Sequence, residues 1–189
     1  LEDIEMVVYR YTLKQMRELM TVHDLNAFAT WIRTNEDEEI YDFLMLAKIC
    51  ENTRGLMNDP WYYPSKNDGT YMSLIEIEEK AKAYKGTRLM DRYALQAVRA
   101  MFSAQRYWEC IDYWNSVESG LPDGLLKEMS RSYLVGAYSR IGQIDIALEY
   151  FTDVEDLNSI MFCLRRQGKI KDVADELEYI AKYAPDSYQ

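Results

Sequence analysis

The sequence predicts an all-α protein in which antiparallel helical hairpins stack as a solenoid. Three observations indicate this fold class. Apolar residues recur at helical spacing along almost the whole chain, and no segment sustains the alternation typical of a β-strand. Only 8 Gly and 4 Pro occur among 189 residues, which favours long elements joined by short turns. Short turns make consecutive helices antiparallel neighbours, so the helices should pair as hairpins.

Apolar spacing and capping signals in the first half place three helices. The first covers residues 2–20, and the second runs from a cap at Thr21 or Asp24 to about residue 33. The third extends to about residue 57 and is expected to start at Asn35, because Glu38 lies three residues later, as in a capping box.

Seven further helices complete a predicted set of ten, or five hairpins. One starts at Thr70 or Ser73 and ends near residue 84, where Gly86 is expected to serve as the C-terminal glycine. The others cover about 88–104, 106–118, 123–140, 143–153, 155–166 and 169–184.

The whole chain, 1–189, is predicted to form a single helical domain. Residues 1–87 give irregular hairpins with a long aromatic loop at 58–70, and residues 88–185 carry a repeat. The chain opens without an initiator Met or a signal-peptide core. We therefore expect a processed or excised piece of a larger protein, from which a targeting sequence could be missing.

Three segments of the second half align without gaps: QRYWECIDYW (105–114), GQIDIALEYF (142–151) and GKIKDVADEL (168–177). Each starts at a turn and places a small or β-branched residue four positions before a large one, so that both lie on one helix face. The small site should let the preceding helix approach closely. The small sites are Cys110, Ala147 and Val173, and the large sites are Trp114, Phe151 and Leu177.

With these small and large sites, turn glycines and closing prolines at 122 and 185, residues 88–185 resemble a tetratricopeptide-repeat protein. Gln105 stands where that family usually has glycine, and the third unit follows the second more closely than the second follows the first. The resemblance implies a stack of hairpins with a concave surface lined by the first helices. It also implies a protein-interaction scaffold without chemistry of its own.

No catalytic residue, cofactor site or metal ligand is predicted, and the chain is expected not to be an enzyme. His23 is the only histidine, and no nucleotide-binding or metal-binding motif occurs. The acidic runs at 36–39 and 76–79 are interpreted as solvated helix faces. A net charge of −10 argues against binding to nucleic acid.

Arginines on the first helices of the repeats form one candidate binding set. In a chain this acidic they could pair with the carboxylates of an acidic peptide in the groove. The alternative is that they neutralise Asp and Glu on adjacent helices. The set comprises Arg92, Arg99, Arg140, Arg165 and Arg166.

The loop NDPWYYPSKNDGTY (58–71) is the second candidate. Its prolines stiffen it, and its rings could present a platform for a peptide or an oligosaccharide. The alternative is that the rings cover apolar helix ends. The aromatic residues are Trp61, Tyr62, Tyr63 and Tyr71.

Three functions therefore stay open: a scaffold that binds a protein segment in the groove, a glycan-binding module at the aromatic loop, and a purely structural segment that self-associates through its ends. No apolar stretch is long enough for a transmembrane span. Cys50, Cys110 and Cys163 are expected to be buried, unpaired thiols, which favours a cytoplasmic location.

Overall fold

The computed structural model describes residues 1–53, 72–153 and 156–183, and every regular element in those ranges is helical. An all-α fold with about ten helices is therefore confirmed. None of the helices in those ranges is both long and apolar enough to cross a membrane. The described α-helices are α1 Glu2–Glu5, α2 Leu13–Glu18, α3 Ala27–Thr34, α4 Glu38–Asn52, α5 Leu74–Ala83, α6 Met90–Ser103, α7 Tyr107–Val117, α8 Leu125–Arg140, α9 Ile144–Asp153, α10 Leu157–Arg166 and α11 Val173–Tyr183.

Two shorter elements extend these helices. A π-helix, Met6–Arg10, continues α1 directly, and a 3₁₀ turn, Glu118–Gly120, follows α7. From α5 onward each helix packs against the next one, and α6 also packs against α8. In the N-terminal part, α1 contacts α3, and both α2 and α3 contact α4.

Helix α4 joins the two largest hydrophobic clusters. The N-terminal cluster is formed by the π-helix and α2–α4, and it contains Leu44 of α4. The central cluster is formed mainly by α5–α8, and it contains Leu46 and Cys50 from the same helix. Ile40 packs against both clusters. The two halves are therefore joined through opposite faces of one helix.

The four connections α3–α4, α6–α7, α8–α9 and α10–α11 share one hydrogen-bond pattern. In each, one residue adopts a left-handed backbone, and the next N–H bonds to a carbonyl five residues earlier, as in a Schellman motif. For α6–α7, the Arg106 N–H donates to the Met101 carbonyl at 2.9 Å. Gly142 and Gly168 take the left-handed position, as expected of helix stops. The φ values are 50° at Glu36, 61° at Gln105, 88° at Gly142 and 69° at Gly168.

The predicted continuous helix over 2–20 is wrong. Tyr11 has an extended backbone, and a capping box at Thr12 starts a new helix there. The Thr12 hydroxyl accepts from the Gln15 N–H at 3.3 Å, and the Gln15 side chain accepts from the Thr12 N–H at 2.9 Å. These bonds give hydrogen-bond partners to backbone N–H groups at the start of α2, so the helix can begin here without continuing a preceding one.

The helix caps of the first half also differ from expectation. Asn26 caps α3 in place of Thr21 or Asp24, and Asp37 caps α4 in place of Asn35. The reason is the shared turn, because Asn35 and Glu36 complete the end of α3 before α4 begins.

The start of α5 is confirmed at Ser73, which forms a capping box with Glu76. Gly86 does not end α5 as predicted, because the helix stops at Ala83. A Cβ at Gly86 would collide with the Tyr84 hydroxyl and lie 2.6 Å from a Glu39 carboxylate oxygen. Gly86 therefore leaves room for the contact between the Tyr84 and Glu39 side chains, which a Cβ would force to shift.

The small and large sites of the repeat alignment pack inward in the first two units but not in the third. Cys110, Ala147 and Trp114 are fully buried, whereas Val173 is 72% and Leu177 45% exposed. Asp172 caps α11, so the third helix starts three residues later than its equivalents. The residues of this unit that pack inward are Ile170, Tyr179, Ile180 and Tyr183.

The acidic run at 76–79 is not wholly a solvated face. The Glu78 side chain is only 6% exposed and pairs with Lys82 at 3.3 Å and with Arg106. Arg106 also reaches Glu109 at 3.1 Å. A buried carboxylate requires such partners, and here it ties α5 to the start of α7.

The three cysteines are buried free thiols, as predicted. They lie within α4, α7 and α10. Burial raises the pKa of Cys50 and of Cys110 to about 12, so both stay protonated at neutral pH.

Gln105→Gly is expected to raise the free energy of unfolding by about 1 kcal/mol, because glycine adopts the left-handed backbone without a strained Cβ. Gly142→Ala should lower it by a similar amount, since no atom within 4 Å would clash and only the backbone strain remains. Urea unfolding measures both values. Glu149→Gly, in the exposed interior of α9, is the control and should destabilise by about 1 kcal/mol. Destabilisation by Gln105→Gly as well would contradict the assigned turn.

Candidate functional site

A cleft of about 470 Å³ lies between the N-terminal helices and the start of α6. Its walls are mainly apolar and come from α1–α4, the π-helix and the start of α6. Val8 belongs to the π-helix, Phe28 to α3, Phe43 and Ala47 to α4, and Leu89 precedes α6. This volume is within the range of pockets that accept a ligand or a large side chain.

The charged residues at the rim of the cleft are largely compensated. Lys48 pairs with Glu51 at 2.9 Å. Arg88 pairs with Asp37 at 2.8 Å and lies 3.6 Å from a Glu39 oxygen. Both pairs neutralise their cations within the protein.

Arg92 differs from these cations. Its guanidinium lies over the ring of Phe43, with 6.0 Å between Cζ and the ring centroid. Among the residues that the structure describes, no carboxylate forms an ion pair with it. Arg88 also lines the cleft and is exposed but paired, so Arg92 is the cation of the cleft without an ion pair among the described residues.

Lys48 fixes one wall of the cleft. Its side chain is 6% exposed, and its ammonium donates to the carbonyl of Val8 at 2.8 Å as well as to Glu51. Val8 lies in the π-helix, a rare conformation that occurs frequently at functional sites. The bond joins the π-helix to α4 across 40 residues of sequence.

Stacked aromatic rings support the opposite wall. The rings of Phe43 and Tyr93 meet edge to face, with 5.3 Å between their centroids. The ring of Tyr84 stacks on that of Tyr93, with 4.1 Å between their centroids. The Tyr84 hydroxyl donates to Glu39 and accepts from the Leu89 N–H at 3.0 Å.

The tyrosines of this stack remain neutral at physiological pH. Burial and the hydrogen bond to Glu39 raise the pKa of Tyr84. Burial, helped by the charge of Asp42, raises the pKa of Tyr93 to about 12. The start of α6, with Leu89 and Arg92, is therefore held by uncharged, closely packed rings.

Only Arg92 of the predicted arginine set lines this cleft. Arg99 donates to the neutral Gln96 side chain of the same helix at 3.0 Å. Arg165 pairs with Glu176 of α11, which is the neutralisation by an adjacent helix that the alternative describes. Arg140 and Arg166 are exposed near the C-terminal ends of α8 and α10. A groove shared by all five stays a prediction.

The aromatic loop lies outside the described residues. The binding role of Trp61, Tyr62, Tyr63 and Tyr71 therefore stays a prediction. His23 is described and exposed. Within residues 1–53, 72–153 and 156–183, no group of three or more His, Cys, Asp or Glu side chains could hold a metal ion.

Sequence reasoning missed Lys48 and the π-helix, although both shape the cleft. A lysine within a helical pattern is ordinarily interpreted as a surface residue. The position of Val8 relative to Lys48 depends on contacts between segments far apart in sequence. Local spacing gives no signal for such a contact.

No family model matches the chain, and neither curated proteins nor solved structures show significant similarity to it.

Lys48→Met is expected to lower the free energy of unfolding by about 1–2 kcal/mol, because the Val8 carbonyl and Glu51 lose a charged donor in a partly buried place. Urea unfolding at pH 7 gives the value. Lys14→Met is the matched control, because Lys14 is 76% exposed and lies 4.0 Å from Glu18. The control should change stability by less than about 0.5 kcal/mol. Equal effects of the two substitutions would show that Lys48 does not secure the wall.

Proposed function

We propose that the protein is a non-enzymatic interaction scaffold that binds a segment of another protein. The observation that carries this proposal is the cleft, with its apolar walls and with Arg92, which has no ion pair among the described residues. A large apolar side chain buried there would contribute roughly 1.5–3 kcal/mol to binding. One such anchor, surrounded by a polar rim, is the arrangement found at the energetic centre of many protein interfaces.

The finer architecture, a tetratricopeptide-like stack with a concave surface, belongs to the same proposal. Burial at the small sites of two units supports it. Ala147 is fully buried, and the Cys110 sulfur lies 3.8 Å from the carbonyl of Val98 on the preceding helix. Such small sites let paired helices approach closely, as the repeat requires.

Ala47→Leu tests the proposed site by filling the cleft. Ala47 lines the cleft from α4, and leucine preserves helix propensity. Capture from an extract of the source organism, followed by binding measurements with the purified partner, should show at least a tenfold loss of affinity. Circular dichroism and thermal unfolding confirm that the variant is folded.

Ala174→Leu, exposed on α11, is the control for added apolar surface and should bind normally. A partner bound equally by both variants would move the interaction away from the cleft.

A second candidate function, a structural segment that associates with itself, is favoured by one specific observation. Val173 and Leu177 are one helical turn apart on α11, and both are exposed. With Ala181 they make an apolar stripe on the outer face of the helix.

Leu177→Lys distinguishes this candidate from the scaffold. If the stripe forms a contact between copies, sedimentation equilibrium should show association in the unmodified chain and a shift to monomer in the variant. Placing the lysine ammonium in an apolar contact costs free energy, because the charge loses its hydration and gains no partner. Glu178→Lys, with the same charged product on the next residue, is the control. A chain that is monomeric at all concentrations would contradict self-association.

A further inference from the structure

We infer that the cleft recognises a peptide segment in which a bulky apolar side chain lies close to an acidic residue, with Arg92 pairing to that acid. This inference rests on the proposed function and names the chemistry of the partner.

Charge complementarity is the first step of the argument. Lys48 and Arg88 are already engaged with Glu51 and with Asp37, so neither attracts an additional anion strongly. Within the part of the chain that the structure describes, Arg92 has no such carboxylate, and its guanidinium lies over the Phe43 ring. An acidic residue of a partner would gain an ion pair with Arg92 and would displace no existing pair.

Asp91 lies beside Arg92 and also lines the cleft. Its carboxylate accepts a hydrogen bond from the Arg92 backbone N–H at 2.8 Å, in the first turn of α6. A carboxylate in that position is stabilised by the helix dipole. The negative charge of Asp91 therefore interacts with the helix end and leaves the guanidinium available.

The orientation of Arg92 favours a planar anion. Phe43 supports one side of the guanidinium, and the edge-to-face contact with Tyr93 holds Phe43 in turn. A supported guanidinium loses little conformational entropy on binding and can donate two parallel hydrogen bonds to a carboxylate.

The distance between the cleft wall and Arg92 determines how far apart the apolar and acidic residues of the partner can be in its sequence. Phe43 belongs both to the wall of the cleft and to the contact with Arg92, with 6.0 Å between the ring centroid and Cζ. An extended chain advances about 3.5 Å per residue. An anchor side chain in the cleft therefore brings an acid to Arg92 when the two residues are one or two positions apart.

The test begins with a displayed library of random twelve-residue peptides selected on the whole chain. We expect enrichment of Asp or Glu within two positions of Leu, Ile, Met or Phe. For the best peptide, fluorescence anisotropy should show about tenfold weaker binding when its acid is replaced by the amide.

Charge reversal sharpens the test. Arg92→Glu should weaken the acidic peptide about tenfold or more and improve the version carrying Lys at the acidic position. Lys169→Glu is the control for the same cation-to-anion change. Lys169 is exposed just after α10, belongs to neither candidate set, does not line the cleft, and should leave both affinities unchanged.

The outcomes separate the inference from the proposed function. One outcome is that the selected peptides bind the Ala47→Leu variant weakly but show no preference for an acid and bind the Arg92→Glu variant normally. This outcome would overturn the inference and leave the cleft as a binding site. Failure to select any peptide, or binding unaffected by Ala47→Leu, would overturn both. Acid preference together with reversal by Arg92→Glu supports the inference.

Discussion

Burial of α6 on nearly all sides is the constraint on which the rest of the structure depends. Helices α5, α7 and α8 pack against it, and residues 93–98, Ala100 and Met101 are all buried. Backbones can approach one helix from several directions only if many of its side chains are small, and Ala94, Ala97 and Ala100 meet that requirement. Buried polar groups on these helices must find partners within the protein, as Glu78 in the middle of α5 does with Arg106.

The same constraint determines the precision of the cleft. Tyr93 is buried in α6 and stacks on Tyr84, while its edge-to-face contact with Phe43 reaches α4. Leu89 and Arg92 are consequently placed by a packed helix end whose preceding turn is bonded to Tyr84. Sites placed by packed helices hold their geometry better than sites on free loops.

Local sequence signals predicted much of this fold. Helical periodicity gave the all-α class, and Gly142 and Gly168 marked two turns correctly. The break at Thr12 was also present in the sequence, because Thr12 and Gln15 have capping-box spacing. That signal competed with continuous apolar periodicity from 2 to 20, and the cap prevailed because Tyr11 ends the π-helix in an extended conformation.

The candidate site could be predicted only in part. Arg92 was identified because it is an arginine on a first helix, but the cleft beside it requires the π-helix, α3 and α4 to meet the start of α6. The Lys48–Val8 contact spans 40 residues, and the Arg88–Asp37 contact spans 51. Local spacing does not determine contacts at such separation. It also failed at Val173 and Leu177 of α11, which are exposed although the repeat alignment places them inward.

The sharing of α4 between two clusters has a thermodynamic consequence. One wall of the cleft belongs to the N-terminal cluster, through Val8 and Phe28, and the other to the central cluster, through Phe43 and Leu89. A ligand that contacts both walls binds only while the two clusters are docked. Local opening of α1–α3 and release of such a ligand are therefore linked equilibria. The population of the opened form falls as the concentration of free ligand rises.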